Sequence, residues 1–237
     1  MQLFYNPNIS TDTKTFSFNR EESRHIVRVL RKNIGDELFL TNGREQLFWA
    51  TIVLANDKKC VADISKWEAR PKTWDYELHI AMAPTKMNDR FEWFLEKATE
   101  IGIDEITPLF CDHSERRQVK MERIEKVVVA AMKQSLKFKL PKLNEPVKFK
   151  DFIVNNDWDL GLIAHCQEDA KKELQDLIRD KKKIMILVGP EGDFSTREIE
   201  EAKSLGISPI SLGESRLRTE TAGVVACNII SILKNIP

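Results

Sequence analysis

From Tyr76 to the C-terminus, short apolar stretches alternate with amphipathic ones, and that alternation leaves few folds open. "YELHIAMA" (76–83), "DEITPLF" (104–110), "LGLIAH" (160–165), "KIMILVG" (183–189) and "ISPISLG" (207–213) predict strands. Between them the period changes to that of helices. Residues 88–102 carry Phe91, Phe94, Leu95, Ala98 and Ile101 along one stripe and stop at Gly102. Residues 120–135 place Met121, Ile124, Val127, Val128, Ala131 and Met132 inward. Helices are also predicted over 168–180, over 195–206, where Ser195 and Glu198 have capping-box spacing, and over 219–235. Short apolar strands joined by helices predict an α/β domain with a parallel sheet covered on both faces. In an open sheet of that kind, ligands bind outside the carboxyl ends of the strands.

The first 70 or so residues follow a different rule. "FSF" (16–18), "DELFLTN" (36–42), "QLFWATIVLAN" (46–56) and "CVADISKWE" (60–68) predict strands, the middle two joined around Asn42-Gly43, a hairpin signal. "NREESRHIVRVL" (19–30) predicts a helix with Asn19 as N-cap and Glu22 three residues on. Several short strands with turn residues between them suggest a small β-barrel. "ARPKTW" (69–74) is a plausible linker, giving two domains, residues 1–72 and 73–237.

A composition 42% hydrophobic and 31% charged is that of a soluble globular chain with a sizeable core. No apolar run approaches the ~20 residues needed to span a bilayer, and "MQLFYNPNIS" lacks the pattern of a secretory signal. No membrane partner is expected. Cys60, Cys111, Cys166 and Cys227 form no C-x-x-C, and His25, His79, His113 and His165 are scattered. The thiols therefore read as reduced, in a cytoplasmic protein, and no metal site is expected. Net charge is zero but unevenly spread. Residues 1–73 carry 12 Lys/Arg against 9 Asp/Glu, residues 74–114 carry 3 against 9, and residues 115–150 carry 11 against 4. Local basic surfaces of this kind suit nucleic acid; a solvated helix face is the plainer alternative.

Three strand ends stand out: Ala164-His165, the turn "GPEG" (189–192) and the loop "SLGESRLRTETAG" (211–223). Gly189 and Gly192 bracket a stiff proline and an acid, a combination that admits close approach of a ligand or simply turns a strand into a helix. Arg216 and Arg218 flank Leu217, and Thr219, Glu220 and Thr221 stand where the last helix should begin. Helix N-termini offer free N–H groups and partial positive charge, although threonines there also serve as ordinary caps. Two glycine-bearing loops at neighbouring strand ends favour a shared small-molecule pocket. The chain has no G-x-G-x-x-G after its first strand, no G-x-x-x-x-G-K-[ST] and no G-x-S-x-G, which disfavours a dehydrogenase, an NTPase and an α/β-hydrolase.

"LVGPEGDFSTREIEEA" followed by "LGESRLRTETAG" resembles the ribosomal RNA small subunit methyltransferase E family, and the likeness spans nearly the whole chain. "HIVRVLRKNIGDELFLTNG" (25–43) is similar to that family's PUA-like N-terminal barrel, and "KMNDRFEWFLEKATEIGIDEITPLFCDHSERR" (86–117) to its entry into the methyltransferase domain. The resemblance implies a C-terminal SPOUT α/β domain tied in a trefoil knot, a feature that general fold rules make rare. It also implies S-adenosylmethionine as cofactor, N3 of a uridine in 16S ribosomal RNA as target, and a homodimer packed through the methyltransferase domain. The chain departs from the family at two places. Leu136 and Lys137 stand where many members read Gly-Arg after Gln134 and Ser135, and Asp193 stands where glycine is common.

Carried over residue by residue, the resemblance implies a cofactor pocket of Leu187, Gly189, Pro190, Glu191, Gly192, Leu212, Gly213, Leu217, Arg218, Thr219, Thr221 and Ala222. N3 of uridine is protonated near neutral pH and lies on the pairing edge, so the base must be splayed out and a proton acceptor or anion-stabilising group is expected. Glu220 is the candidate base and Arg218 the candidate for stabilising the anion. Arg20, Arg24, Arg28, Arg31 and Lys32 recur at helical spacing and would grip phosphates, extended by Arg116, Arg117 and Lys137. Two rival readings are a non-catalytic RNA-binding assembly factor and a SPOUT methyltransferase acting on another RNA. The intact GPEG and RTETA pair argues against the first, the PUA-like barrel against the second.

Overall fold

The computed structural model describes residues 1–154, 157–167 and 174–235. The chain divides into two compact units, Met1–Thr73 with Met132–Leu140, and Trp74–Ala131 with Pro141–Pro237. The stretch Met132–Leu140, inside the range expected for the second domain, thus belongs to the first unit.

The first unit is built on a five-stranded sheet. Its strands are β1 (Leu3–Tyr5), β2 (Thr15–Ser17), β3 (Glu37–Thr41), β4 (Gln46–Leu54) and β5 (Val61–Ala69), in the order β1-β3-β4-β5-β2. The ladder does not close between β1 and β2, but the sheet curls enough for Phe4 of β1 to meet Phe18 just past β2 edge-on, ring centroids 5.3 Å apart. Alternation explains the shared core: Leu38 and Leu40 on β3 and Phe48, Ala50 and Ile52 on β4 all face it. The loop after Thr41 holds the returning segment, since Leu140 N donates to Gly43 O (2.9 Å) and Glu45 N to Phe138 O (2.8 Å).

Asn19 caps the expected helix as its sequence predicts, accepting from Glu22 N at 2.8 Å. The helix is not one continuous α-helix, however. It runs as α1 (Arg20–Arg24) and then widens into a π-helical turn over His25–Val29. Ser23 is fully buried two residues before the widening; its hydroxyl donates to Phe18 O and accepts from Cys60 N, pinning that turn to the sheet.

The second unit holds a parallel seven-stranded sheet. Its strands are β6 (Glu77–Met82), β7 (Glu105–Phe110), β8 (Lys142–Leu143), β9 (Val147–Lys148), β10 (Leu160–Ala164), β11 (Lys183–Val188) and β12 (Ser208–Ile210). The order is β12-β10-β11-β6-β7-β8, with β9 also on β7. Its helices are α2 (Asn88–Ile101), α3 (Met121–Gln134), α4 (Phe149–Phe152), α5 (Leu174–Ile178), α6 (Thr196–Ser204) and α7 (Thr219–Asn235). Part of the helix expected over 168–180, residues 168–173, lies outside the described residues. Helix α3 passes from the second unit into the first at Ala131. The central strands are apolar because both faces are covered: Ile184, Met185, Ile186 and Leu187 are all at most 1% exposed. Each such side chain contributes about 1.5–3 kcal/mol over an exposed one. Helices α2 and α7 pack on each other so closely that a Cβ on Gly223 would lie 2.6 Å from the Phe94 ring.

Among the described residues, no helix is long and apolar enough to cross a membrane and no cluster of three or more His, Cys, Asp or Glu could hold a metal. All four cysteines are free thiols.

Candidate functional site

Strand register decides where the site is. Ala164 pairs with Val188 on one side and Ile210 on the other, and Val188 pairs with Met82. Four parallel strands therefore end in one row, and the segments leaving them emerge side by side. A cleft opens over this row in two lobes. The larger, about 570 Å³, lies between Ala164–Gln167 and the loop Ser211–Leu217. The smaller, about 300 Å³, runs from Gly189–Glu191 to Arg218 and Thr219, with Arg90 of α2 at its side. Ala164, Cys166, Asp193, Arg216, Leu217 and Ala222 belong to both lobes.

The GPEG turn is held from three sides. Asp193 N donates to Pro190 O (2.9 Å), closing it. Glu191 Oε1 accepts from Lys86 N (2.9 Å), while its Oε2 is buried without a hydrogen-bond partner. His113 Nδ1 lies 3.1 and 3.0 Å from the carbonyl oxygens of Gly192 and Asp193, so it donates to both. Below the turn, Ser195 and Glu198 form the predicted capping box at the start of α6. Asp112 ties the β7 loop to that cap by accepting from Ser195 Oγ (2.7 Å) and Arg197 (2.9 Å), and those bonds hold its carboxyl below the usual range.

The two turn glycines do not work by positive φ. Gly189 is needed because a Cβ there would sit 3.0 Å from the Phe194 ring, and one on Gly192 would sit 3.1 Å from His113 Cβ. The left-handed position of the turn is Asp193 instead, at φ 63°. Its carboxylate accepts from Cys166 N (2.8 Å) and from Phe194 N (2.8 Å), joining the β10 and β11 loops at the cleft floor. In the other loop Gly213 does use its freedom, with φ 125° and open space around it.

Helix α7 starts at Thr219, and Arg218 supplies the cap through its backbone, its carbonyl accepting from Ala222 N (2.8 Å). Neither threonine is the N-cap. Glu220 is 7% exposed; its Oε1 lies 3.8 Å from Arg90 Nε and its Oε2 is buried without a hydrogen-bond partner.

Of the expected pocket residues, Gly189, Pro190, Glu191, Leu212, Gly213, Leu217, Arg218, Thr219 and Ala222 line the cleft. Leu187 lies in the core one residue before the strand end, Gly192 faces His113, and Thr221 stands in the first turn of α7 outside the lining. Sequence reasoning missed Arg90, Cys166 and Asp193 as lining residues. Arg90 had a usable signal, because it opens the helix that follows a strand ending in the same row. Arg20, Arg24 and Arg28 share one surface hollow with Lys58, but Arg28 already gives two hydrogen bonds to Asp57, at 2.9 and 2.7 Å. Arg31 sits past the π-turn at φ 54°, and it and Lys32 do not line the hollow. Arg116 and Arg117 line a separate cavity of the second unit, and Lys137 belongs to the first.

Comparison with known proteins gives these loops a context. Residues 72–231 match the model of an RNA methyltransferase domain, and residues 18–65 that of an RNA methyltransferase PUA domain. The ribosomal RNA small subunit methyltransferase E of Buchnera aphidicola is 31% identical over 94% of this chain and 90% of its own. The protein of the same name from Bacillus subtilis is 26% identical over 93% and 91%. The crystal structure of a probable rRNA-methyltransferase from Porphyromonas gingivalis superposes with TM-score 0.92 at 42% identity, covering 99% of this chain and 98% of that one. A Legionella pneumophila protein solved with bound SAM gives TM-score 0.89 at 28% identity, covering 97% and 96%. With both of its units matched and that identity sustained along nearly its full length, the chain belongs to the ribosomal RNA small subunit methyltransferase E family.

Proposed function

We propose that this chain transfers a methyl group from S-adenosylmethionine to N3 of a uridine in 16S ribosomal RNA. It would act in the cytoplasm as a homodimer, with the 211–219 loop region threaded in a trefoil knot. The observation that carries the reading is the row of strand ends that gathers the GPEG turn and the 211–218 loop around one cleft. That cleft fits the cofactor's chemistry. Ile210, Leu212, Leu217 and Ala222 offer an apolar wall for an adenine ring. The orphaned Oε2 of Glu191 and the Asp193 carboxylate offer acceptors for ribose hydroxyls or an ammonium group. The first turn of α7 presents unbonded N–H groups to a carboxylate. When bound, the cofactor supplies an electrophilic methyl group.

The chain's own work is to hold the acceptor nitrogen in line with that methyl group, which is worth several kcal/mol of barrier. Arg218 lines the smaller lobe and would stabilise negative charge spreading over the uracil ring. Glu220 lines neither lobe but sits behind Arg90, which does, with Oε1 3.8 Å from Arg90 Nε and Oε2 uncommitted; from there it would receive the N3 proton. Mass mapping of 16S ribosomal RNA from a strain lacking the gene tests the whole reading. One uridine should lose its methyl group, regain it with the wild-type gene, and stay bare with Arg218→Ala. A fully methylated 16S RNA in the deletion strain would reject it.

A further inference from the structure

A second cavity of about 380 Å³ lies in the same unit as the cleft but shares none of its lining residues. Arg116, Arg117, Lys120 and Arg123 stand around it, and Phe91 and Phe110 form part of an apolar floor. Glu92 is the only carboxylate among the lining residues, and it is bonded to Arg123 at 2.5 and 3.0 Å. That leaves Arg116, Arg117 and Lys120 lining a hollow of nucleotide size without a carboxylate partner among the lining residues, although Arg117 also donates to Asp112 O (3.1 Å). Arg116 is fixed there: its guanidinium donates to Asn88 Oδ1 and to Lys86 O (2.9 Å), while its Nε is buried with no hydrogen-bond partner. A buried donor without an acceptor is costly unless a ligand supplies one. The cavity is also tied to the cleft. Lys86, whose carbonyl accepts from Arg116, donates its N–H to Glu191 of the GPEG turn.

We infer that this cavity is a substrate subsite that takes one unstacked nucleotide of the single-stranded RNA, its base on the apolar floor and its phosphate among Arg116, Arg117 and Lys120. An unpaired base offers both a π-face and a charged backbone, which is the pairing of chemistries this hollow presents. The inference rests on the reading of the chain as an RNA methyltransferase and adds to it a place for a nucleotide other than the target. Arg116, Arg117 and Lys120 become substrate-facing residues, and the bond from Arg116 to Lys86 O also links the site to the GPEG turn.

The test uses the full-length protein and a single-stranded 16S fragment containing the target, with 4-thiouridine at positions flanking it. Irradiation should cross-link the fragment to the peptide spanning residues 110–124. Arg117→Glu with Lys120→Glu, both exposed positions, should abolish that cross-link. The double variant should raise KM for RNA about tenfold or more while kcat stays within about twofold. Its affinity for S-adenosylmethionine, measured by calorimetry, should match wild type and thereby certify its fold. An unchanged KM, or cross-links confined to other peptides, overturns the subsite. So does equal cross-linking by free 4-thiouridine monophosphate at the same concentration, which would assign the hollow to a lone nucleotide. Failure of the wild-type protein to bind S-adenosylmethionine would instead strike the proposed function, so the two failures are separable.

Discussion

Asp193 and Leu136, which stand where the resemblance leads one to expect glycine, both have positive φ, 63° and 54°. The backbone thus keeps the conformation that glycine favours and carries the strain of a side chain in it. Asp193 gains something in return, because its carboxylate bridges two loops of the cleft. Leu136 gains little, being 41% exposed. Leu136→Gly should therefore be neutral or stabilising by up to about 1 kcal/mol, seen as a higher urea midpoint, because the relief of left-handed strain competes with the greater freedom of glycine in the unfolded chain. A clear loss of stability would show that Leu136 packs more firmly than its exposure says. Glu220 carries the chemical prediction. Glu220→Gln keeps its shape and removes the proton acceptor, so single-turnover methylation should fall by roughly 10²–10⁴-fold while cofactor binding holds. Raising the pH should recover part of the loss, since more uridine ionises unaided. A near-normal rate would reject the base; loss of cofactor binding would make Glu220 a support for Arg90 and the lobe wall.

At the scale of elements, the close approach of α2 and α7 depends on the absence of one side chain. A Cβ on Gly223 would meet the Phe94 ring at 2.6 Å and Met82 Sδ at 2.7 Å. Gly223→Ala should cost about 1–3 kcal/mol in urea unfolding, the range for overpacking a core. Gly206→Ala, with open space but φ 81°, tests backbone strain alone. An unaffected Gly223→Ala would mean that the two helices separate freely. The longer strands and helices of the second unit could be read from the sequence because they show a period. What escaped lacked one: β8 and β9 have two residues each, β1 has three and α4 has four. The π-turn escaped because Arg20, Arg24, Arg28 and Arg31 fit α spacing, while the widening is set by the burial of Ser23 and Ile26 against the sheet. In the cleft, the loops were legible from their glycines and arginines. Arg90 was legible only as the opening of the helix after β6, and Asp193 was not, because only the register of the strands brings it beside Cys166. The hollow lined by Arg20 and Arg24 carries its own prediction. With both changed to Gln, the slope of log affinity for RNA against log salt should flatten by about 1.4, two single-strand phosphate contacts, with cofactor affinity unchanged. An unaltered slope would leave that surface merely solvated.

Across the whole molecule the two units stabilise themselves by separate cores, and the parallel sheet of the second contains a polar network with a consequence for acid stability. His79 of β6 pairs in register with Glu105 of β7, which pairs with Lys142 of β8. Asn144 donates to Glu105 Oε1 (2.6 Å) and to Thr107 Oγ1 (2.7 Å), and Thr107 Oγ1 lies 2.7 Å from His79 Nε2. With its oxygen accepting from Asn144, the Thr107 hydroxyl is free to donate to a neutral imidazole. Burial pushes the His79 pKa down to about 4 from 6.5. Burial pushes Glu105 the other way, but hydrogen bonds from Asn144 and Lys142 outweigh it and hold its carboxyl below the usual value. The signs then agree. Below pH 6.5 the unfolded chain takes up a proton at His79 that the folded chain refuses until about pH 4, so stability falls as pH drops through that window. The Glu105 contribution is lost in the same direction, as pH falls through its depressed pKa. The His79 share amounts to roughly 3 kcal/mol by pH 4. His79→Gln should lower stability at pH 7, because it disturbs a buried hydrogen bond, yet flatten the decline of the urea midpoint between pH 6.5 and 4. Tryptophan fluorescence can follow this, since Trp158 stacks on Phe152, whose ring also meets His79 edge-on at 5.3 Å. If the variant declines as steeply as wild type across that window, the acid sensitivity of the sheet resides in other groups and His79 titrates as it would in water.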